Sequence, residues 1–381
     1  MIYLDYAATT PVRTEVVQII NEVLINSFGN PSSTYRIGKA SNYQLTLARQ
    51  ELAGLLKVDS SEVYFTSGAT ESNNWAIRSQ AEQARSLGKG NHLVSSAIEH
   101  PSVMKLLENL AENGFEVTYV QPTETGEITT QAYLAASTPQ TIGWIAMAVN
   151  NEVGSILPIQ DLGVLAKEKD LWFHVDAVQA IGHLNWDFSQ VLCTSFVGTA
   201  HKFYAPKGIG FLIYRPWANG MFLKALIHGG GQEADKRSGT ENLPYILGMV
   251  KGLELLSQEA SDNLVKHQAL QDYLYQELTA NQIIYEVNGH SDHRVPYINS
   301  LWFKNALASQ LLILLDLADI YVSAGSACSA GSLTESKVLK AYYPNQSDRW
   351  NQTLRISFGN DTTEADIDAL IKHIKLFVER K

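Results

Sequence analysis

The chain has 381 residues, of which 45% are hydrophobic and 18% are charged. This composition supports a folded core and excludes disordered, collagen-like and mini-protein classes. The 39 acidic and 29 basic residues give a net charge of −10, which excludes attraction to a phosphate backbone as the main mode of binding, so we predict no direct contact with nucleic acid.

The two cysteines, Cys193 and Cys328, are too few for a disulfide framework and too far apart for a paired zinc motif. We therefore predict a reducing, cytoplasmic location and no bound metal. The N-terminus lacks a signal-peptide pattern, and Asp316 and Asp319 interrupt the richest apolar run. These features predict neither export nor a membrane span.

Short apolar segments alternate with helical patterns from about residue 16 to residue 250. The predicted strands are 62–66, 92–96, 116–120, 141–148, 172–176, 194–198 and 210–214. The predicted helices between them are 47–56, 70–86, 102–113 and 159–169. This alternation predicts an α/β fold with a mostly parallel seven-stranded sheet, helices on both faces and a ligand at the carboxyl ends of the strands.

The pattern changes after Asn242 to a long helix that reaches about residue 278. A strand at 297–303 and helices at 309–317 and 364–379 follow, which indicates a smaller α+β domain. We predict a large domain at 12–255 and a small domain made of 1–11 and 256–381. Residues 2–6 are expected to pack on one of these units.

The segment SGATESNN (67–74) follows a strand and begins a helix. The backbone N–H groups of Ala69 and Thr70 would point at an anion there, as in a phosphate site. The alternative is an ordinary helix start with Ser67 or Thr70 as the N-cap.

Two further segments place charged side chains at strand ends. HVDAVQ (174–179) puts Asp176 where a carboxylate can pair with a cation such as a protonated pyridine, and Gln179 within reach of a ring substituent. TAHKF (199–203) puts Lys202 where a desolvated amine could form a Schiff base. The alternatives are a helix N-cap for Asp176 and a solvated lysine. A phosphate site, a carboxylate and a lysine in this order are what pyridoxal phosphate requires.

The sequence resembles the group I cysteine desulfurases, the NifS/IscS type. Motifs along nearly the whole chain carry the resemblance: LDYAATT (4–10), FGNPSS (28–33), SGATESNN, EHPSV (99–103), NNEVG (150–154), HVDAVQ, HK (201–202), PKGIG (206–210), HGGGQE (228–233), RSGTEN (237–242), SAGSAC (323–328) and LRISFG (354–359). The resemblance implies a fold-type I, homodimeric, pyridoxal-phosphate-dependent transferase with its active site at the subunit interface.

The resemblance also implies a role for each site residue. Lys202 would bind the cofactor covalently, Asp176 would pair with the pyridine nitrogen, and Gln179 would contact the phenolic oxygen. His100 would stack on the pyridine ring and serve as an acid or base, and Asn151 would contact both cofactor and substrate. The implied phosphate contacts are Ala69, Thr70, Thr199, His201 and, from the other subunit, Thr240.

Arg355 matches the residue that binds the carboxylate of the substrate, for which a planar guanidinium is suited. From local sequence alone, Arg355 could equally form a surface ion pair, and His100 could be a loop or core histidine. Cys328, among small residues in SAGSACSAGS (323–332), matches the nucleophile that accepts sulfur, and we predict that its segment, about 323–334, is mobile. Cys193, in an apolar strand, is predicted to be a buried, inert thiol.

The implied reaction removes sulfur from L-cysteine, giving alanine and a persulfide on Cys328 for a sulfur-acceptor protein. Alternatives are another fold-type I enzyme (a selenocysteine lyase or an aminotransferase) and a non-catalytic sulfur-relay partner. Two departures from the family pattern are Tyr35, where many relatives have histidine, and a short tail after Gly359. The tail leads us to expect a tRNA-thiolating enzyme as acceptor, instead of or beside an iron–sulfur scaffold.

Overall fold

The computed structural model describes residues 1–216, 221–290, 292–325 and 335–378. The strands are β1 (Ile2–Tyr3), β2 (Val63–Thr66), β3 (His92–Ser96), β4 (Glu116–Val120), β5 (Thr141–Met147), β6 (Trp172–Asp176), β7 (Ser195–Thr199), β8 (Gly210–Tyr214), β9 (Glu286–Val287), β10 (Ile298–Trp302), β11 (Ile320–Tyr321) and β12 (Thr353–Ser357).

The helices begin and end as follows: α1 (Thr14–Asn26), α2 (Arg36–Leu56), α3 (Ala69–Ser86), α4 (Pro101–Glu112), α5 (Thr130–Ala136), α6 (Ile159–Glu168), α7 (Gln232–Asp235), α8 (Leu243–Ala280), α9 (Ala308–Asp316), α10 (Lys337–Tyr342), α11 (Ser347–Asn351) and α12 (Glu364–Val378). Across these ranges, no helix is both long and apolar enough to span a membrane.

The large sheet has seven strands in the order β2-β8-β7-β6-β5-β3-β4. All pairings are parallel except those of β8, which runs antiparallel to both β2 and β7. The predicted seven-stranded, mostly parallel sheet is therefore confirmed. Because β2, β3, β5, β6 and β7 run in the same direction, their carboxyl ends meet at one edge of the sheet, as α/β ligand sites require.

The sheet buries both of its faces. On β3 and β5, neighbouring residues alternate between two hydrophobic clusters: Val94 and Trp144 belong to one, and Leu93 and Ile145 to the other. This period of two follows from strand geometry, and it requires apolar helices on each side. Gly143 allows close packing because a Cβ atom there would lie 2.1 Å from the indole of Trp172.

Five helices, α1, α5, α7, α10 and α11, were not predicted, and α2 was predicted too short. Helix α1 buries Val16, Ile20 and Val23 with a helical spacing. Helix α5 is only seven residues long, which gives little periodicity to detect. Helix α2 begins at Arg36, well before the predicted start at residue 47. Its first turns carry exposed apolar residues, which hide the helical spacing of the buried ones.

A second group of strands lies beside the large sheet. β10 pairs with β12 and with β9 in an antiparallel sheet, and β1 pairs with β11. The N-terminal segment thus packs on the C-terminal part of the chain, as expected. Helix α8 runs without interruption through residue 255, so the domain boundary placed there stays a prediction.

Candidate active site

A cavity of about 410 Å³ lies at the edge where the parallel strands end. Ten of the predicted site residues line it: Ala69, Thr70, His100, Asn151, Asp176, Gln179, Thr199, His201, Lys202 and Arg355. They come from distant parts of the chain, and the ends of β2, β3, β5, β6 and β7 bring most of them together. A cavity of this size accommodates a cofactor together with a small amino acid.

The start of α3 forms one end of the cavity. Its N-cap is Gly68, which has no side chain to cap the helix; the alternative in which Ser67 or Thr70 is the N-cap is wrong. Ser67 instead donates its backbone N–H to Oε2 of Glu71, at 2.9 Å. The N–H groups of the first turn therefore stay without a side-chain cap at the cavity, where they suit an anion.

Asp176 is the last residue of β6 and is only 4% exposed. Its Oδ1 accepts a hydrogen bond from the backbone N–H of Val178 at 3.1 Å, and its Oδ2 accepts one from Asn73 Nδ2 at 2.9 Å. No helix begins among the described residues between β6 and β7, so the alternative of a helix N-cap is wrong. The Oδ1 atom instead accepts its hydrogen bond from a turn residue, and the carboxylate lines the cavity. A buried carboxylate held in this way can hold a cationic ring nitrogen in place.

Lys202 reaches the cavity from the turn that follows β7. Its Nζ donates to the carbonyl oxygens of Ala7 and Ala8, the latter at 2.9 Å. Gln179 Nε2 donates to the same Ala7 oxygen at 3.0 Å. The N-terminal segment thus positions both side chains, a role that the sequence did not indicate. Asp176 and Lys202 share one cavity, as the hypothesis of pyridoxal phosphate binding requires.

His201 follows the same strand, and its Nδ1 lies 3.2 Å from Thr9 Oγ1. Burial and the nearby charges of Lys202 and Lys207 lower the pKa of His201 to about 4. The imidazole is therefore neutral at pH 7 and can donate a single N–H hydrogen bond to a phosphate. Thr199, the last residue of β7, also lines the cavity and contributes a hydroxyl group to it.

His100 is the N-cap of α4, and its Nδ1 accepts a hydrogen bond from Ser102 N at 3.1 Å. Burial is the main cause that lowers the pKa of His100; the charge of Asp176 raises it and that of Lys202 lowers it. One nitrogen of His100 thus caps a helix, as expected for a hydrogen-bonded loop histidine, while the ring also lines the cavity.

Arg355 enters from β12, on the other side of the cavity, and is 2% exposed. Its Nη2 donates to Asp5 Oδ1 at 2.7 Å and its Nη1 to the carbonyl oxygen of Asn151 at 2.8 Å. The ion pair is therefore buried and not on the surface. Among the described residues, the buried Arg355 Nε has no hydrogen-bond partner.

Glu99 was not assigned a role from the sequence, although it lies in the EHPSV motif. It is 4% exposed, and its Oε1 accepts hydrogen bonds from Ser96 Oγ and from Met147 N. Burial and the charge of Asp176 raise the pKa of Glu99 to about 8, against the effect of the hydrogen bonds. Glu99 is thus neutral at pH 7, so Asp176 has no second anion beside it.

Two predicted residues, Thr240 and Cys193, are not among those that line this cavity. Thr240 lines a neighbouring cavity that shares Ser67 and Gly208 with the first. Cys328 lies outside the described residues. Cys193 is 1% exposed, and burial raises the pKa of its thiol, which confirms the prediction of a buried, inert cysteine.

The side chains of the cavity fit pyridoxal phosphate. The uncapped start of α3 suits its phosphate, Asp176 its pyridine nitrogen and Lys202 its aldehyde. Such a cavity at the edge of a mostly parallel sheet defines a pyridoxal-phosphate-dependent α/β enzyme, in which the cofactor supplies an electron sink.

The chain belongs to the class-V aminotransferase family, whose model matches residues 2–370. The cysteine desulfurase IscS of Methanosarcina thermophila is 38% identical over 380 residues, covering 100% of this chain and 92% of the relative. A solved structure of a NifS-like protein is 31% identical, with a TM-score of 0.91 and full coverage of both chains. A structure of SspA in complex with cysteine is 34% identical, with a TM-score of 0.80, covering 94% and 99%.

Proposed function

We propose that the protein is a pyridoxal-phosphate-dependent cysteine desulfurase. The observation that carries this function is the single cavity that joins Lys202 and Asp176 on one side to the buried Arg355 on the other. This arrangement offers a site for the cofactor and, beside it, a cation for an amino acid carboxylate. Relatives along the full chain that are named cysteine desulfurases support the same reaction.

In the overall reaction, L-cysteine and the thiol of Cys328 give L-alanine and a persulfide on Cys328. The C–S bond of the substrate breaks and an S–S bond forms, while a proton replaces sulfur on the substrate carbon. No oxidant or reductant is consumed. Cys328 lies in the segment SAGSACSAGS (323–332), and we assign it as the sulfur acceptor on the family motif.

The residues of the chain divide the work by their chemistry. Arg355 orients the substrate through its carboxylate, which fixes the position of the carbon atoms relative to Lys202. The Lys202 amine, held by the carbonyl groups of Ala7 and Ala8, moves the proton at the substrate Cα. Asp176 holds a positive charge on the ring nitrogen, which strengthens the electron withdrawal of the cofactor.

We further propose a cytoplasmic homodimer in which Thr240 contacts the phosphate of the other subunit. Exposed apolar side chains along α1 and α2 and the turn between them support an interface there: Leu24, Ile25, Phe28, Tyr35, Ile37 and Tyr43. Sedimentation velocity should then give twice the 42.1-kDa chain mass. A chain that stays monomeric at micromolar concentration when loaded with cofactor would refute the dimer.

The reaction is tested by measuring alanine and persulfide formed from L-cysteine. The Lys202→Ala variant should lose the visible absorption band of the bound cofactor and at least about 1,000-fold in turnover. Cys328→Ala should keep the band and lose persulfide formation, whereas Cys193→Ala, the matched control, should keep both. If amino-group transfer to a 2-oxo acid replaced alanine formation from cysteine, the protein would be an aminotransferase.

The sulfur acceptor is a separate proposal, for which we name a tRNA-thiolating enzyme beside or in place of an iron–sulfur scaffold. Labelled sulfur from cysteine should pass from Cys328 to a purified tRNA-thiolating enzyme in the presence of both acceptors. Transfer to the scaffold alone would refute this choice.

A further inference from the structure

A chain of hydrogen bonds connects Asp176 and His100, two residues that line the cavity. His100 Nδ1 lies 2.8 Å from Ser102 Oγ. Asn73 Nδ2 donates to that same Oγ at 2.9 Å and to Asp176 Oδ2 at 2.9 Å. Asn73 is completely buried, and Ser102 is 8% exposed. Three hydrogen bonds therefore link the carboxylate of Asp176 to the imidazole of His100.

The charge of Asp176 determines how Asn73 is oriented. A carboxylate only accepts hydrogen bonds, so the NH₂ group of Asn73 must face it. The amide oxygen of Asn73 then faces His174 Nε2, at 2.9 Å. Burial lowers the pKa of His174 to about 3, so His174 is neutral and donates from Nε2, while its Nδ1 lies 2.8 Å from the hydroxyl of Ser195. The opposite orientation of the amide would bring its oxygen against the carboxylate.

The orientation of Asn73 fixes the hydroxyl group of Ser102. Because Ser102 Oγ accepts a hydrogen bond from Asn73, its own proton is free to point at His100 Nδ1. The backbone N–H of Ser102 also donates to Nδ1, at 3.1 Å. A nitrogen that faces two donors cannot carry a proton without losing both hydrogen bonds, so the proton of the neutral ring resides on Nε2.

We propose that Asn73 and Ser102 are positioning residues that transmit the charge of Asp176 to His100 and hold its imidazole in the neutral tautomer with the proton on Nε2. Nε2 makes no hydrogen bond to any part of the chain that the structure describes, and the ring lines the cavity. His100 therefore presents an N–H donor to whatever occupies the cavity and does not act as a base through Nδ1. The tautomer follows from the geometry alone; its effect on catalysis rests on the proposed function.

Ionisable groups surround His100 on several elements. Burial lowers the pKa of His100, the charge of Asp176 raises it, and that of Lys202 lowers it. The other ionisable side chains of the cavity and of the groove beside it are His201, Lys207, Glu71, Arg355, Arg78 and Lys105. Since the cations outnumber the anions, the surroundings favour the neutral ring that the hydrogen bonds require.

The test observes the tautomer directly. Nitrogen-15 NMR of the histidine-labelled holoenzyme, with His100→Asn for assignment, distinguishes a protonated Nε2 from a protonated Nδ1. We expect a single tautomer with the proton on Nε2 at pH 7 to 8. A proton on Nδ1, or rapid exchange between the two forms, would overturn the proposal whatever the enzymatic activity is.

Two variants interrupt the hydrogen-bond chain from Asp176 to His100, called the relay below, at different points. Ser102→Ala removes one of the two donors to Nδ1, so the affinity of that nitrogen for a proton should rise roughly fivefold, the effect of one net hydrogen bond. Asn73→Leu keeps the hydroxyl of Ser102 but no longer fixes its direction. It should raise the proton affinity of His100 Nδ1 as well, by less than Ser102→Ala does. If Ser102→Ala changed His100 but Asn73→Leu did not, the constraint would be local and the relay would be refuted.

Matched controls separate the relay from general loss of a buried contact. Ser300→Ala removes a hydroxyl that accepts a hydrogen bond from a buried Asn288 amide at 3.1 Å, in the three-stranded sheet; it should leave the His100 signals unchanged. Ser102→Thr, which restores the hydroxyl, should restore the wild-type tautomer. A shift of the His100 signals in Ser300→Ala would show that the readout reports packing and would overturn the proposal.

The catalytic consequence has its own readout. If neutral His100 is required, the acidic limb of the pH profile of kcat/KM for cysteine should move upward in Ser102→Ala, because the ring gains a proton at higher pH. A fixed Nε2–H tautomer in an enzyme without desulfurase activity would refute the proposed function and keep the relay. An active desulfurase in which the proton exchanges between Nδ1 and Nε2 would refute the relay and keep the proposed function.

Discussion

The two sides of the cavity are built in different ways. On the side of the seven-stranded sheet, Asp176 ends β6 and Lys202 follows β7, so the functional side chains stand where strands stop. On the other side, Arg355 is the third residue of β12, and its backbone pairs with Ser300 and, in an isolated bridge, with Ser323. The first side depends on where strands end, and the second depends on the pairing register of β12.

This difference affects how each charge is stabilised. Asp176 obtains its hydrogen bonds from a backbone N–H two residues away and from α3, which follows β2. The charge of Arg355 is balanced by Asp5, 350 positions away in sequence. The Asp176 carboxylate is therefore stabilised within one structural unit, whereas Arg355, like Lys202, needs the N-terminal segment to be in place.

Among the variants that compare the two sides, Arg355→Leu should have the largest effect. The substitution removes the cation proposed to bind the substrate and leaves Asp5 without its partner, so kcat/KM for cysteine should fall by at least about 100-fold. The matched control is Arg13→Leu, which breaks the ion pair of Arg13 with Glu259 outside the cavity. Steady-state kinetics of both variants check the prediction; an equal loss in the two would show that the effect is structural.

Glu99→Gln tests the sheet side, and its effect depends on pH. The pKa of Glu99 is about 8 in the folded protein and about 4.5 for the unperturbed group. Between these values the folded state binds the proton more tightly, so wild-type stability falls as pH rises from 5 to 8. The neutral glutamine avoids this loss. At pH 8 the free energy of unfolding of the variant should therefore gain on the order of a few kcal/mol relative to wild type.

Thermal unfolding at pH 5 and at pH 8 measures the effect of Glu99→Gln. The melting temperature of the variant relative to wild type should increase between the two values and stay constant above pH 8. A gap that is the same at pH 5 and pH 8 would show that Glu99 does not keep its proton on folding, and Asp176 would then face a second anion.

The sequence predicted the sheet side well because its signals are local. An apolar strand followed by a charged residue places Asp176 and Lys202 at the same edge, whatever the rest of the chain does. Glu99 and Asn73 lie in motifs that the sequence singled out, but nothing local indicates that Glu99 Oε2 has no partner among the described residues or that Asn73 contacts Asp176.

The Arg355 side could not be predicted to the same depth. The resemblance to the family identified Arg355, but the pairing of Arg355 with Asp5 depends on a long-range contact between β12 and the N-terminus. No periodicity or turn signal encodes such a contact. The sequence therefore left a surface ion pair as an alternative, which the burial of Arg355 now contradicts.

A double-mutant cycle measures how strongly the two ends of the chain are coupled. Asp5→Ala, Arg355→Leu and the double variant should give a coupling free energy of about 2–4 kcal/mol in urea unfolding, because the arginine is buried. The same cycle on the exposed pair Lys57–Asp187, with side chains 62% and 35% exposed, should give about 0–1 kcal/mol. Equal coupling in the two cycles would contradict the contrast between a buried and an exposed pair.

The smallest effects come from two glycines. A Cβ atom at Gly359, just after β12, would lie 2.1 Å from the ring of Tyr6, whereas one at Gly54 would meet no atom within 4 Å. Gly359→Ala should therefore destabilise the protein by about 1–3 kcal/mol by overpacking the contact between the N-terminal segment and β12. Gly54→Ala, on the exposed face of α2, should stabilise it by about 0.5–1 kcal/mol. If Gly359→Ala were neutral in urea unfolding, the N-terminal segment would be free to move away from β12. Asp5 would then not be the fixed partner of Arg355 that the structure shows.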